Sequence, residues 1–249
     1  MRKLTAALAC RNQGNRLYGK PFQNLDSEKG ICILDQIIAC LSKIKCIDEI
    51  VLGISEGSHN LGFIDYANEN KLKYIIGNEK DVLMRLIQCG QESKATDIFR
   101  MTTESPYPYF NLIEEGWNAH LSIEADATFL DNIIDGCSFE IFKLEALQIS
   151  HKKGDDKHRS ELCTLYIREN KRQFKIHYLT APDSLIRKDI RLTVDYPEDL
   201  VVCREVYQHF KNSAPLIPLL EVVEWLDENK KLKALTAPFC KEGYSLMYK

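Results

Sequence analysis

Leu4-Thr5-Ala6-Ala7-Leu8-Ala9-Cys10, followed at once by Arg11-Asn12-Gln13-Gly14-Asn15-Arg16-Leu17-Tyr18-Gly19-Lys20-Pro21, is the stretch on which the fold turns. The first seven residues carry no charge and are bounded by polar residues, the pattern of a strand buried on both faces. The eleven that follow hold two glycines and three cations, the composition of an irregular loop. Met1-Arg2-Lys3 in front and Cys10 behind imitate a signal peptide or a lipoprotein site. The apolar run is at the lower limit for such a segment and a polar loop follows immediately, so a first β-strand is the reading.

Working outward, Ile33, Leu34, Ile37, Ile38, Leu41 and Ile44 recur at helical spacing. Residues 49–55 read as a second buried strand, a helix is expected around 63–70, and 74–77 as a third strand. Asp81 reads as the N-cap of a helix over 82 to about 93, and 97–103 as a further strand. Between about 125 and 185 this alternation weakens and histidine-bearing charged segments enclose short strand-like runs such as 173–179; an inserted sub-structure is expected there. The rhythm returns with a strand over 189–195 and a helix from Pro197 on which Leu200, Cys203, Val206, Tyr207 and Phe210 share a face; a last helix is expected over about 216–230. Strands alternating with helices predict a single α/β domain over 1–249, a mostly parallel, Rossmann-like sheet covered on both faces.

A chain of 249 residues, 45% hydrophobic and 28% charged, buries a sizeable core without disulfides and is neither disordered nor fibrous. Its nine cysteines are an odd number with no CxxC and no zinc spacing, which reads as reduced core residues of a cytoplasmic protein. No apolar run reaches the roughly 18 residues of a membrane span. The net charge of −3 argues against a nucleic-acid or membrane partner. Residues 1–25 nonetheless carry Arg2, Lys3, Arg11, Arg16 and Lys20 and no acid, which leaves the rest of the chain at −8. A local positive field in an acidic protein predicts a small anionic ligand.

Open parallel sheets bind ligands beyond the carboxyl ends of their strands, so the loop after the first strand is the first candidate site. Its glycines let backbone N–H groups approach an anion and its cations supply charge. It is neither a Walker A loop nor a Gly-x-Gly-x-x-Gly turn, and from the residues alone a solvated basic loop accounts for it equally well.

Arg11-x-x-x-Asn15-Arg16-Leu17-Tyr18-Gly19-Lys20-Pro21 resembles the triphosphate loop of the sugar cytidylyltransferases, whose motif is Arg, three residues, then Ser/Thr-Arg-Leu-Pro-Gly-Lys. That family includes the CMP-Kdo and CMP-acylneuraminate synthetases and the spore-coat polysaccharide cytidylyltransferases. Four further segments resemble the spore-coat branch in the same order: Gly77-x-x-x-Asp81-Val82-Leu83-x-Arg85, Arg100-Met101-Thr102-Thr103-Glu104-Ser105-Pro106, Asp135-Gly136-Cys137-Ser138-Phe139-Glu140-Ile141-Phe142, and Thr193-Val194-Asp195-Tyr196-Pro197-Glu198-Asp199-Leu200.

The resemblance implies a nucleotide-diphospho-sugar transferase fold, a homodimer with the inserted segment at dimer contact and acceptor, and transfer of a nucleotidyl group from CTP to a sugar acid or related acceptor with release of pyrophosphate. It places the triphosphate on Arg11, Arg16 and Lys20, the nucleotide near Gly14, Asn15, Gly19, Gly77, Asp81, Arg85 and Arg100, a Mg²⁺ ion on Glu104 and Asp195, and the acceptor near Glu140, Arg159 and Glu161. Departures from the family pattern are Asn15 for Ser/Thr, Tyr18 for Pro, Thr103 for Gly and Glu104 for Asp, and around 157–161 only Arg159 keeps its match. Asp195 also reads as the N-cap of the helix that Pro197 opens, and Glu104 as a solvent-exposed loop acid. The alternatives are a sister enzyme using GTP or UTP with a sugar 1-phosphate and a nucleotide-binding homologue that has lost turnover.

Overall fold

The computed structural model describes residues 2–14 and 16–240. In chain order the strands and helices are β1 (Leu4–Cys10), a small hairpin of β2 (Asn24–Asp26) and β3 (Ile31–Cys32), α1 (Ile33–Leu41), β4 (Glu49–Ser55), α2 (Leu61–Glu69), β5 (Lys73–Gly77), α3 (Val82–Glu92), β6 (Asp97–Arg100), α4 (Ile113–Ser122), β7 (Ala127–Phe129), β8 (Glu140–Lys143), α5 (Leu144–Lys153), α6 (Asp156–Arg159), α7 (Leu165–Glu169), β9 (Ile176–Tyr178), α8 (Pro197–Phe210), α9 (Leu219–Glu228) and α10 (Lys230–Lys233). The main sheet runs β5-β4-β1-β6-β8-β7-β9. β5, β4, β1 and β6 are parallel, with Leu8 opposite Leu52 and Ala6 opposite Phe99; β8 is antiparallel to both β6 and β7.

The charge-free stretch is indeed an interior strand, and its alternate residues feed two cores. Ala6, Leu8 and Cys10 join the face covered by α1, α8 and α9, while Ala7 joins Val51, Leu83 and Leu86 under α3. The nine cysteines are free thiols, eight of them buried. No helix among the described residues is long and apolar enough to cross a membrane.

Four boundaries differ from expectation. The strand expected over 97–103 ends at Arg100, because Thr103 leaves the ladder and its hydroxyl donates to the Ala9 carbonyl at 3.0 Å. Residues 189–195 form no strand: Ile190, Leu192 and Val194 are buried in alternation, but their backbone partners lie in loops, Leu192 N donating to Asp135 O and Val194 N to Glu104 O. The period of two therefore reports burial rather than sheet pairing. In the segment expected to be an inserted sub-structure, β7, β8 and β9 instead extend the main sheet, and Phe129 and Phe142 enter its core. Finally, Asp195 is not the N-cap of α8; Tyr196 holds that position, and the Asp199 carboxylate reaches back to accept from the backbone N–H groups of Asp195 and Tyr196, both at 2.9 Å.

Candidate active site

A cavity of about 860 Å³ opens at the carboxyl ends of β1 and β6 and is lined by the loop after β1, residues 100–105, residues 130–140, the segment leading into α7, and residues 191–196. The loop after β1 folds back on itself, Gly19 N donating to Asn12 O at 2.8 Å. Gly19 takes a positive φ of 61°, and a Cβ on Gly14 would fall 2.4 Å from the Leu17 carbonyl oxygen, so both positions require glycine. Asn12 ties the loop to the neighbouring strand end: its N–H donates to Asn60 Oδ1 and its side-chain amide to the His59 carbonyl.

This geometry presents Arg11, Arg16 and Lys20 to the cavity, but not as a bare positive field. Lys20 Nζ donates to Asp195 Oδ1 at 2.6 Å, Arg16 lies 3.6 Å from the same oxygen and donates to the Tyr196 hydroxyl at 3.1 Å, and Arg11 pairs with Glu161. Arg2 and Lys3, which the sequence grouped with them, sit at the other end of β1 on Asp97 and Glu49.

Glu104 and Asp195 are brought together because residues 103–105 are zipped to 193–194: Val194 N donates to Glu104 O and the Ser105 hydroxyl to Thr193 Oγ1, both at 3.0 Å. Glu104 is therefore not a solvent-exposed loop acid. Burial, with Asp195 beside it, pushes its carboxyl above the usual range against the pull of Lys20 and Arg100. Burial acts the same way on Asp195, but Lys20, Arg191 and Arg16 outweigh it and hold that carboxyl low.

Two further charged clusters wall the cavity. Glu140, 8% exposed, accepts from Arg100 at 2.5 Å and Arg168 at 2.8 Å; Arg168 also grips Asp131 with two bonds of 2.9 and 3.0 Å and lies 3.8 Å over the Phe129 ring. Arg191, 2% exposed, is answered by Asp135 at 2.6 Å, Asp195 at 2.6 Å and Asp199 at 3.0 Å. Burial, which Arg191 only partly offsets, pushes Asp135 up to about 6. Arg85, 1% exposed, is different: it donates to the carbonyls of Gly53 at 2.8 Å and Cys10 at 3.3 Å, its Nε has no partner, and among the described residues it has no carboxylate. A buried guanidinium without an acid is costly, and one lining a cavity is poised for an anionic or carbonyl-bearing ligand.

Of the residues expected at the site, Arg11, Gly14, Arg16, Lys20, Arg85, Arg100, Glu104, Glu140, Glu161 and Asp195 line the cavity. Asn15 lies outside the described residues. Gly19, Gly77, Asp81 and Arg159 are not in the cavity wall. Gly77 packs on the Arg85 side chain, where a Cβ would fall 2.7 Å from Arg85 Cγ. Asp81 is the N-cap of α3, accepting from Met84 N at 2.8 Å, and also contacts His151 Nε2 at 2.7 Å. Arg159 turns to the His151 carbonyl and Asp156. Sequence reasoning missed Arg168, Asp131, Arg191 and Phe239. Only Arg191 left a signal, a cation in the apolar run Ile190-Arg191-Leu192, where a buried arginine needs an acid.

No family model matches the chain. It is 28% identical over 242 residues, 97% of its length and 98% of the relative's, to an uncharacterized protein, MJ1063, of Methanocaldococcus jannaschii. It is 24% identical over 231 residues, 92% of its length and 96% of the relative's, to the spore coat polysaccharide biosynthesis protein SpsF of Bacillus subtilis. A cytidylyltransferase of Leptospira borgpetersenii serovar Hardjo-bovis superposes with a TM-score of 0.83 at 18% identity, over 93% of this chain and 97% of that one. The chain has the nucleotidyltransferase fold seen in the cytidylyltransferases, with its cavity at the carboxyl ends of the parallel strands.

Proposed function

We propose that the protein is a nucleotidyltransferase that takes CTP and a sugar-like acceptor, a sugar acid or a related compound, and releases pyrophosphate. The observation that carries this reading is the convergence of Arg11, Arg16 and Lys20, from one glycine-bent loop, with Glu104 and Asp195 on one cavity. Attack of an acceptor oxygen on the α-phosphorus expels pyrophosphate, so the protein's task is to position both partners and to neutralise the charge on the departing phosphates. Arg11, Arg16 and Lys20 hold the β- and γ-phosphates, Arg85 faces the nucleotide from the cavity floor, and the wall around Glu140 receives the acceptor.

The donor set fits Mg²⁺. The Glu104 carboxylate makes no hydrogen bond or ion pair to another described residue and stands beside Asp195, and Mg²⁺ is commonly held by one or two carboxylates, water and substrate phosphates. Glu104 and Asp195 would hold the ion, which supplies charge neutralisation on the phosphates. Lys20 and Arg11 then exchange their carboxylates for phosphate oxygens. The fold shared with a cytidylyltransferase supports CTP, and likeness to a spore coat polysaccharide biosynthesis protein supports a role in surface-glycan synthesis.

The test is the thermal midpoint with Mg²⁺ and each of CTP, UTP, GTP and ATP, followed by pyrophosphate release with an acceptor panel. A ligand at 100 times its dissociation constant adds about 2.7 kcal/mol, a shift of a few degrees. CTP selectivity that depends on Mg²⁺ is expected; selectivity for another nucleotide overturns the choice of CTP, and no shift with any overturns the reading.

A further inference from the structure

The C-terminal part of the described chain reaches the phosphate loop from the far end of the sequence. Phe239 lines the cavity and stacks on the Tyr196 ring, with centroids 4.0 Å apart and planes 13° from parallel. The Arg16 guanidinium lies 4.8 Å from the centroid of the same ring and donates to its hydroxyl at 3.1 Å. The Tyr196 ring is thus in contact with both the Phe239 ring and the Arg16 guanidinium. The backbone of Tyr196 is already fixed, since it is the N-cap of α8 and its N–H is held by Asp199. The Phe239 ring stacked on Tyr196 restricts the orientation of that ring. Cys240, buried next to Phe239, anchors this end through its thiol to the Thr236 carbonyl at 3.4 Å.

We propose that Phe239 is a positioning residue for phosphate binding: by stacking on Tyr196 it holds the ring that carries Arg16, and so presets the guanidinium for the triphosphate. This rests on the function proposed above and extends it to a residue with no role in the loop motif. A flexible arginine on an irregular loop loses side-chain entropy when it binds phosphate, and a ring platform that orders it beforehand removes part of that cost.

The probe is inorganic tripolyphosphate, titrated calorimetrically at low ionic strength into wild type, Phe239→Leu and Phe239→Tyr, and into Arg16→Ala with and without Phe239→Leu. Leucine keeps apolar volume without a ring, and tyrosine keeps the ring. Expected are a roughly three- to tenfold weaker dissociation constant in Phe239→Leu, near wild-type binding in Phe239→Tyr, and no further loss from Phe239→Leu once Arg16 is alanine. Wild-type binding by Phe239→Leu, or an equal loss in both backgrounds, overturns the proposal while leaving the nucleotidyltransferase reading intact. Failure of the wild type to bind tripolyphosphate or CTP overturns both.

Discussion

The two ends of β1 carry the same kind of charge and meet opposite fates. At its amino end, Arg2 donates from Nε to Asp97 Oδ2 at 2.8 Å, His120 Nε2 lies 3.2 Å from the same carboxylate, and the other ring nitrogen meets the Thr128 hydroxyl at 2.9 Å; Asp97 and His120 are both fully buried. Lys3 meets Glu49. These acids sit in strand register with β1, Asp97 opposite Leu4 and Glu49 opposite Thr5, so the sheet itself fixes the partnership. At the carboxyl end, the acids facing Arg11, Arg16 and Lys20 come from 150 to 179 positions away in the chain, on loops around a cavity. A cation paired through the ladder is structural; a cation paired across a cavity has a partner that a ligand can displace.

That contrast is open to direct attack. Asp97→Ala removes a fully buried acid that answers the half-buried Arg2 and the buried His120, and a loss of roughly 3–5 kcal/mol in urea unfolding is expected, with tripolyphosphate binding preserved in the folded fraction. An effect below about 1 kcal/mol would show that the amino end is no more committed than the other. Asp195→Ala reverses the pattern: pyrophosphate release falls by roughly a hundredfold or more, while circular dichroism shows the fold retained. Gly14→Ala forces the loop off the Leu17 carbonyl, and a displacement near 1 Å costs roughly ten- to a hundredfold in triphosphate binding. Retained affinity would mean that the loop conformation is dispensable.

The pH dependence probes the amino end more gently. Burial, opposed by Asp97, holds the His120 imidazole below its ordinary pKa, so the native state keeps it neutral while the unfolded chain takes up a proton below about 6.5. Its contribution is complete above about pH 6.5 and is lost as the pH falls below that. Between pH 7 and 5 the stability of wild type is expected to fall more steeply than that of His120→Gln, by at most about 1.4 kcal/mol per pH unit. The smallest effect belongs to Lys3→Ala, under about 1 kcal/mol, because its pair with Glu49 is partly solvated.

Much of the fold is readable without coordinates. β1, α1, β4, β5 and α3 follow from period and apolar runs, and Asp81 caps α3 as its place before Val82 predicts. Where reading failed, the cause was a shared signal. Ile190, Leu192 and Val194 alternate because they are buried, and burial between loops leaves the same imprint as burial in a ladder. The charge of the first 25 residues overstates the field at the cavity for a related reason, since a sum along the chain does not know that β1 carries Arg2 and Arg16 to opposite ends of the sheet.

The sequence by itself determined the strand-loop opening, the alternation that makes the sheet, and the cations and carboxylates available for chemistry, because these depend on neighbours a few positions away. Only the tertiary structure decided which of them meet. Glu104 stands beside Asp195 because two loops are zipped together. Arg168 meets Glu140 28 positions away and Arg191 meets Asp135 56 positions away, and Phe239 reaches Arg16 through Tyr196. Contacts of that range are set by how strands are ordered and loops returned, and no local spacing encodes them.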